Sequence, residues 1–218
     1  MNKSCIVQGL SLGHASQDAS SPPRSAIFAL TCRMQHSCKP NARFLWREDL
    51  QREVVLAIRP IAQEDEVTVQ YKGNSNYAPH MVRQAQLQEL FNFKCACIVC
   101  ATPPSPERDA SDARRLEIAE MLSAVSKVGF DDPQILVRTL ELMAAEGLDT
   151  PLNRMDVHYV ACHLAVRWGA EELGRAEDQL RRAVECAKLC EGVGSQRYLA
   201  YEAELAELVE ARRLLLGS

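Results

Sequence analysis

The sequence predicts an α+β protein in which the strands come first and the helices last. Three observations carry this. Polar–apolar alternation in short runs is confined to the stretch before residue 72. Apolar positions spaced by three and four dominate residues 111–216. Three cysteines within six residues, Cys95, Cys97 and Cys100, mark the junction. The 218 residues suit one ordinary domain or two small ones. With 47% hydrophobic and 25% charged residues, the composition excludes disorder over the whole length. Apolar runs stay well under the roughly 18 residues needed to span a bilayer. Residues 1–13, with one lysine and a broken apolar stretch, make a poor signal peptide. The expectation is an intracellular protein of nucleus or cytoplasm.

Residues 1–24 are rich in Ser, Gly and Ala and end in Ser20-Ser21-Pro22-Pro23, which reads as loop or disorder. Residues 42–46 and 53–58 are short runs around the turn-like Arg47-Glu48-Asp49-Leu50-Gln51, a β-hairpin. Pro60 ends the second run. Residues 66–71 alternate and predict a third strand, and residues 72–76 a loop. Residues 80–91 read as a helix with Val82, Leu87 and Leu90 on or near one face. A proline-rich linker is expected over 102–110.

Beyond it the pattern is helical. Ser111 is placed to cap a helix over 112–128, and Pro133 to open a second ending near Gly147. A third covers 153–168, with Met155, Tyr159, Cys162 and Val166 in step. A fourth covers 173–190, striped by Leu173, Ala176, Leu180, Ala183, Ala187 and Cys190. A fifth follows Gly192-Val193-Gly194, with Tyr198, Tyr201, Leu205 and Leu208 in register. Short joins favour antiparallel neighbours. The third and fourth helices look like one tetratricopeptide-type unit, without a second copy of the same spacing. The expected division is 1–24 loop-rich, 25–101 β-rich with the cysteine segment, 102–110 linker and 111–218 helical.

Charge divides the same way. Residues 1–100 carry 11 Lys and Arg against 8 Asp and Glu; residues 101–218 carry 14 against 21. Neither part is basic enough to bind nucleic acid by charge alone. The helical part, net −7, could face a basic partner segment.

Nine cysteines form an odd set in a chain without a secretion signal, which argues against a closed disulfide framework. Cys95-x-Cys97-x-x-Cys100 offers three thiolates, and a structural zinc site needs four ligands. Cys32, His36, Cys38 and His80 are all available as the fourth. Elsewhere, His158 and His163 are about 140° apart on one helix and point apart. Cys186 and Cys190 share a face and read as packing residues.

Gln35-His36-Ser37-Cys38-x-Pro40-Asn41 resembles the Asn-His-Ser-Cys-x-Pro-Asn signature of SET-domain protein-lysine methyltransferases. Residues 61–71 look like that family's strand leading to its catalytic tyrosine. Arg83-Gln84-Ala85-Gln86-Leu87, followed by Phe91-x-Phe93-x-Cys95-x-Cys97-x-x-Cys100, looks like the post-SET zinc segment of the SET/MYND-type subgroup. Ser111-Asp112-Ala113-Arg114-Arg115 and Cys190-Glu191-Gly192 are the local matches to the helical tail of fungal members. The resemblance runs from about Ser25 to the C-terminus. It implies the C-terminal part of a SET β-fold with a post-SET zinc segment, followed by the helical extension.

The resemblance also implies roles. Gln35, His36 and Phe93 would hold S-adenosylmethionine. Tyr71 would face the transferring methyl group, and Phe91 would line the lysine channel. Cys38 would join Cys95, Cys97 and Cys100 on zinc. The implied substrate is a protein with a target lysine, such as a histone, with neither nucleic acid nor membrane as partner. Gln35 replaces the family's Asn, and Phe91 stands where the subgroup often has Tyr. The family's Gly-x-Gly cofactor loop has no counterpart around Gly9 and Gly13. A shortened SET protein with reduced or no activity alone is therefore expected. The alternative is a non-catalytic, zinc-stabilised interaction module that uses its helical hairpins.

Overall fold

The computed structural model describes residues 10–12, 24–47, 49–72, 75–125 and 134–216. Its strands are short and lie in the first third of the chain. β1 (Leu10–Leu12) pairs antiparallel with β2 (Arg24–Ala26), so a strand begins inside the stretch expected as loop. The remainder of that stretch, including Gly9 and Gly13, lies outside the described residues. β4 (Ala42–Arg47) and β5 (Arg52–Ala57) form the expected hairpin, with Ala42 opposite Ala57 and Arg47 opposite Arg52. Its turn uses Gln51 at φ 50 and a double contact from the Arg47 guanidinium to Asp49 at 2.7 and 2.6 Å.

The third strand differs from expectation. Only β6 (Thr68–Val69) is paired, and its partner is β3 (Gln35–His36), running parallel with Gln35 opposite Thr68. A two-residue partner leaves nothing for residues 66 and 67 to pair with, and both are exposed. The Asn41 side chain takes over there. Its amide donates to the Glu66 carbonyl at 2.9 Å, and its Oδ1 accepts the Thr68 N–H at 2.8 Å.

α1 (His80–Phe91) forms as predicted, but its inward face differs. Arg83 and Leu87 are buried, whereas Val82 and Leu90 remain 43% and 53% exposed. Position 83 is one turn before Leu87, so the buried face carries a guanidinium, whose Nη1 donates to the Ala78 carbonyl and whose Nη2 faces Cys100 Sγ.

α2 (Pro106–Val125) starts earlier than predicted. Ser105 Oγ accepts the Arg108 N–H at 3.3 Å, and Pro106 occupies the first turn, where its missing N–H is harmless. Ser111 lies inside the helix instead of capping it. The predicted continuation to 128, and Pro133 as a helix opener, fall outside the described residues. α3 (Gln134–Ala145) ends at Gly147, whose φ of +58 suits glycine. α4 (Pro151–Trp168) also starts earlier, because Thr150 Oγ1 accepts the Asn153 N–H at 3.3 Å. α5 (Leu173–Glu191) and α6 (Gln196–Leu216) complete the chain.

The helices pair antiparallel in sequence order. Met121 meets Thr139 between α2 and α3, His158 meets Gln179 between α4 and α5, and Glu177 meets Arg212 between α5 and α6. The predicted α5 stripe is buried throughout, from Leu173 to Cys190. It packs on Met155, Cys162 and Tyr201 in one core that also receives Ile58 from beside the hairpin. Each large apolar side chain so buried contributes about 1.5–3 kcal/mol. Val166, expected on the α4 stripe, is 42% exposed; Ala165 takes its place inside. Cys186 and Cys190 are packing residues, as read. His158 is buried against Gln179, while His163 is half exposed and 3.2 Å from Glu204.

Polar groups lock the β-rich part to the helices. Arg43 reaches Glu191 at 3.1 Å, and Arg47 donates to the Glu191 carbonyl at 2.9 Å. Arg115 is 1% exposed; it pairs with Glu146 at 3.0 Å and donates to the Asn76 carbonyl. His80 N–H donates to Asp112 at 2.7 Å.

Candidate functional site

The site grows from the end of the β3–β6 pairing. Ser37 N–H donates to the Val69 carbonyl at 3.0 Å, and the ladder stops there. Two residues on, the Tyr71 hydroxyl donates to the Met34 carbonyl at 2.6 Å, and its backbone N–H donates to His36 Nδ1 at 3.2 Å. α1 supplies the opposite wall. Asn92 adopts the left-handed conformation at φ 55, which Asn tolerates, and turns the chain out of the helix. Phe91 and Phe93 flank that turn. Their ring centroids lie 5.4 and 5.9 Å from Tyr71, both edge-to-face, and His36 is 5.2 Å from Tyr71 and 6.0 Å from Phe93. Such edge-to-face rings contribute beyond their buried area. Four of the sequence-predicted residues thus meet in one aromatic nest. Gln35 is adjacent on β3 and exposed.

The second half of the site adjoins it. The sulfurs of Cys38, Cys95, Cys97 and Cys100 all lie within 4.8 Å of one another, and Cys38 Sγ is 3.5 Å from Cys100 Sγ. Three of the four cysteines are buried. Of the possible fourth members, Cys38 is the one that converges. Cys32 Sγ turns instead to the Ala29 carbonyl at 3.6 Å, and His80 lies beside Gln84. His36 Nε2 is 3.5 Å from Cys38 Sγ, at the edge of the cluster.

Backbone N–H groups and neighbouring thiols surround the sulfurs. Cys38 N–H donates to Cys97 Sγ and Cys97 N–H to Cys95 Sγ, each at 3.5 Å. Hydrogen bonds from Cys100, Cys38 and Cys95 hold the Cys97 thiol well below the ordinary range. Bonds from Cys38 and Cys95 bring Cys100 down to about 7. Hydrogen bonding to Cys100 pushes Cys38 and Cys95 up. Arg83 Nη2 lies 4.0 Å from Cys100 Sγ. Four close sulfurs with N–H donors and a nearby cation fit a tetrahedral thiolate-bound metal such as zinc. Burial depresses the His36 pKa to about 4, opposed by Cys97 and reinforced by Arg83, so the ring is neutral.

Two supporting residues went unassigned in the sequence. Gln84 clasps Cys95 from both sides, donating to its carbonyl at 2.8 Å and accepting its N–H at 2.9 Å. Asn41 fixes the approach to Tyr71, as described above. Both fall within the quoted motifs, which was the available signal. A cavity of about 530 Å³ has Tyr71 in its wall, together with Phe44, Asn76, Leu152 and Asp156. It lies between the hairpin and α4.

Residues 7–72 match the SET domain family. The match begins before Ser25, where the motif reading began. Over 179 residues the chain is 30% identical to the histone-lysine N-methyltransferase set5 of Schizosaccharomyces pombe, covering 81% of this chain and 55% of that protein. The chain is a SET-domain protein related to histone-lysine methyltransferases. Two Arabidopsis thaliana histone-lysine N-methyltransferases also align with this SET protein. ATXR2 is 37% identical over 35% of the chain and 16% of its own length; ASHR1 is 31% identical over 44% and 19%. The SET protein spans about half the length of the fission-yeast relative and less of the two plant ones. No helix among its described residues is long and apolar enough to cross a membrane.

Proposed function

We propose that this protein acts in S-adenosylmethionine-dependent methyl transfer to protein lysine, with Tyr71 at the reaction centre. The observation that carries the reading is the Tyr71 hydroxyl. Its proton is committed to the Met34 carbonyl at 2.6 Å, within the nest formed by His36, Phe91 and Phe93. The phenolic oxygen is thereby left as an acceptor, suited to positive charge near the reacting amine. Bound S-adenosylmethionine would supply a methyl group on a positively charged sulfur. Phe91 and the Tyr71 ring exclude water from an incoming lysine, and desolvation lowers an amine's pKa toward the neutral, nucleophilic form. Gln35, His36 and Phe93 form the cofactor side. The cavity beside Tyr71 is large enough for an extended lysine side chain.

Zinc on Cys38, Cys95, Cys97 and Cys100 would pin the post-SET-like segment bearing Phe93 against the SET motif. The subgroup this favours is the SET/MYND type, with α4 and α5 as a tetratricopeptide-like hairpin. The acidic helical part suits a basic substrate such as a histone tail, in nucleus or cytoplasm.

The test is methyl transfer by the zinc-loaded 218-residue chain to a histone mixture, with cofactor binding followed by calorimetry. Transfer that disappears in Tyr71→Phe while cofactor binding persists is the expected result. Transfer unchanged by Tyr71→Phe would sink the reading. Zinc retention with neither cofactor binding nor transfer would favour an interaction module.

A further inference from the structure

We propose that His36 is a positioning residue, the link through which the four-cysteine cluster sets the backbone of Tyr71. The inference rests on the proposed role of Tyr71, but its geometry does not. A neutral imidazole has one donor and one acceptor nitrogen. The Tyr71 backbone N–H can only donate, and it points at Nδ1 from 3.2 Å. Nδ1 is therefore the acceptor, and the ring proton belongs to Nε2. Nε2 faces Cys38 Sγ at 3.5 Å, so its N–H donates to that sulfur. His36 is only 8% exposed, which leaves little room for water to replace either contact.

The strand pairing explains why a side chain is needed. β3 and β6 run parallel for two residues, and the last backbone contact is Ser37 N–H to Val69 carbonyl. The Tyr71 amide lies beyond the ladder. The His36 ring extends the pairing by one bond, edge-on to the Tyr71 ring at 5.2 Å. The same ring is anchored at its other end on the sulfur cluster. A metal-bound thiolate is a better acceptor than a thiol, and a ligand's hydrogen-bonded partner shares in its positioning. Metal binding at Cys38 thus tightens a contact that ends at Tyr71.

Two substitutions separate the ends. In His36→Asn, the short amide oxygen takes the place of Nδ1 and keeps the Tyr71 bond without reaching Cys38. In His36→Gln, the longer amide reaches toward Cys38 and loses the Tyr71 bond. The readouts are the ¹⁵N shifts of the His36 ring and hydrogen exchange of the Tyr71 amide, both with zinc as the added metal. A chelator-exchange assay reports zinc retention. The Nε2–H tautomer is expected in the wild-type protein, with the Tyr71 amide exchanging about tenfold faster in His36→Gln and on zinc removal. His36→Asn should keep that protection while releasing zinc faster. An Nδ1–H tautomer, or equal Tyr71 exchange in wild type and His36→Gln, would overturn the proposal. The tautomer is measured on the unmodified chain, so the test survives variants that fail to fold. Neither readout needs turnover: absent methyl transfer with the expected tautomer would refute the catalytic reading and leave this one standing.

Discussion

The Tyr71 hydroxyl and the Met34 carbonyl oxygen lie 2.6 Å apart, joining the second residue after β6 to the residue before β3. Deleting the hydroxyl removes one hydrogen bond of about 1 kcal/mol and leaves the ring contacts with Phe91 and Phe93. Tyr71→Phe should therefore stay folded, losing about 1 kcal/mol in urea denaturation, while methyl transfer falls by roughly 10²-fold or more. A loss of turnover matched by unfolding would assign Tyr71 a structural role.

The cysteine cluster predicts about one zinc per chain by elemental analysis. Replacing one ligand, as in Cys100→Ser, removes about a quarter of a four-ligand site and should weaken binding on the order of a hundredfold. Cys32→Ser should leave the metal content unchanged, because Cys32 bonds the Ala29 carbonyl outside the cluster. Acid should release the metal as the thiolates take up protons.

Arg115 and Glu146 are 1% and 4% exposed at their side chains and 3.0 Å apart. Arg115→Met should cost about 3 kcal/mol, because it strips a buried carboxylate of one partner. Arg114 reaches the same carboxylate at 2.7 Å but is 36% exposed, so Arg114→Met should cost less, about 1 kcal/mol. Arg115→Met with Glu146→Leu should recover part of the loss. Urea midpoints at constant slope provide the comparison.

His158 is buried against Gln179, and burial pulls its pKa below the ordinary 6.5, opposed by the Gln179 bond. The charged form is disfavoured in the folded state. Its contribution to stability is thus complete above about pH 6.5 and is lost as pH falls toward the depressed folded value. His158→Gln should flatten the acid limb of the stability curve by up to about 1.4 kcal/mol per pH unit. Taking the difference between the two proteins cancels the effect of metal release. Parallel curves would show that His158 titrates normally.

The types and order of the main elements were legible in the sequence because their signals are local. The hairpin showed in β4 and β5, and the 3.6-residue stripe of α5 buried every position it named. Helix starts were less legible. Ser105 caps α2 ahead of Ser111, and Thr150 caps α4 ahead of its expected start, because a following proline fits the first turn, and neither cap belongs to the apolar pattern. The clustering of Cys95, Cys97 and Cys100 was also local, and so was the motif around His36. Their convergence was not. The pairing of Gln35–His36 with Thr68–Val69 is two residues long, too short to leave any period. Yet that pairing brings Tyr71 to Met34 and lays Cys38 against Cys100. The burial of Arg83 and Arg115 was equally invisible, since a charged residue reads as surface until its partners are placed. Short-range periodicity fixes which segments are helix or strand. Which of several thiols joins a cluster, and which carbonyl meets a hydroxyl, depends on contacts between segments tens of residues apart, and only the folded chain decides them.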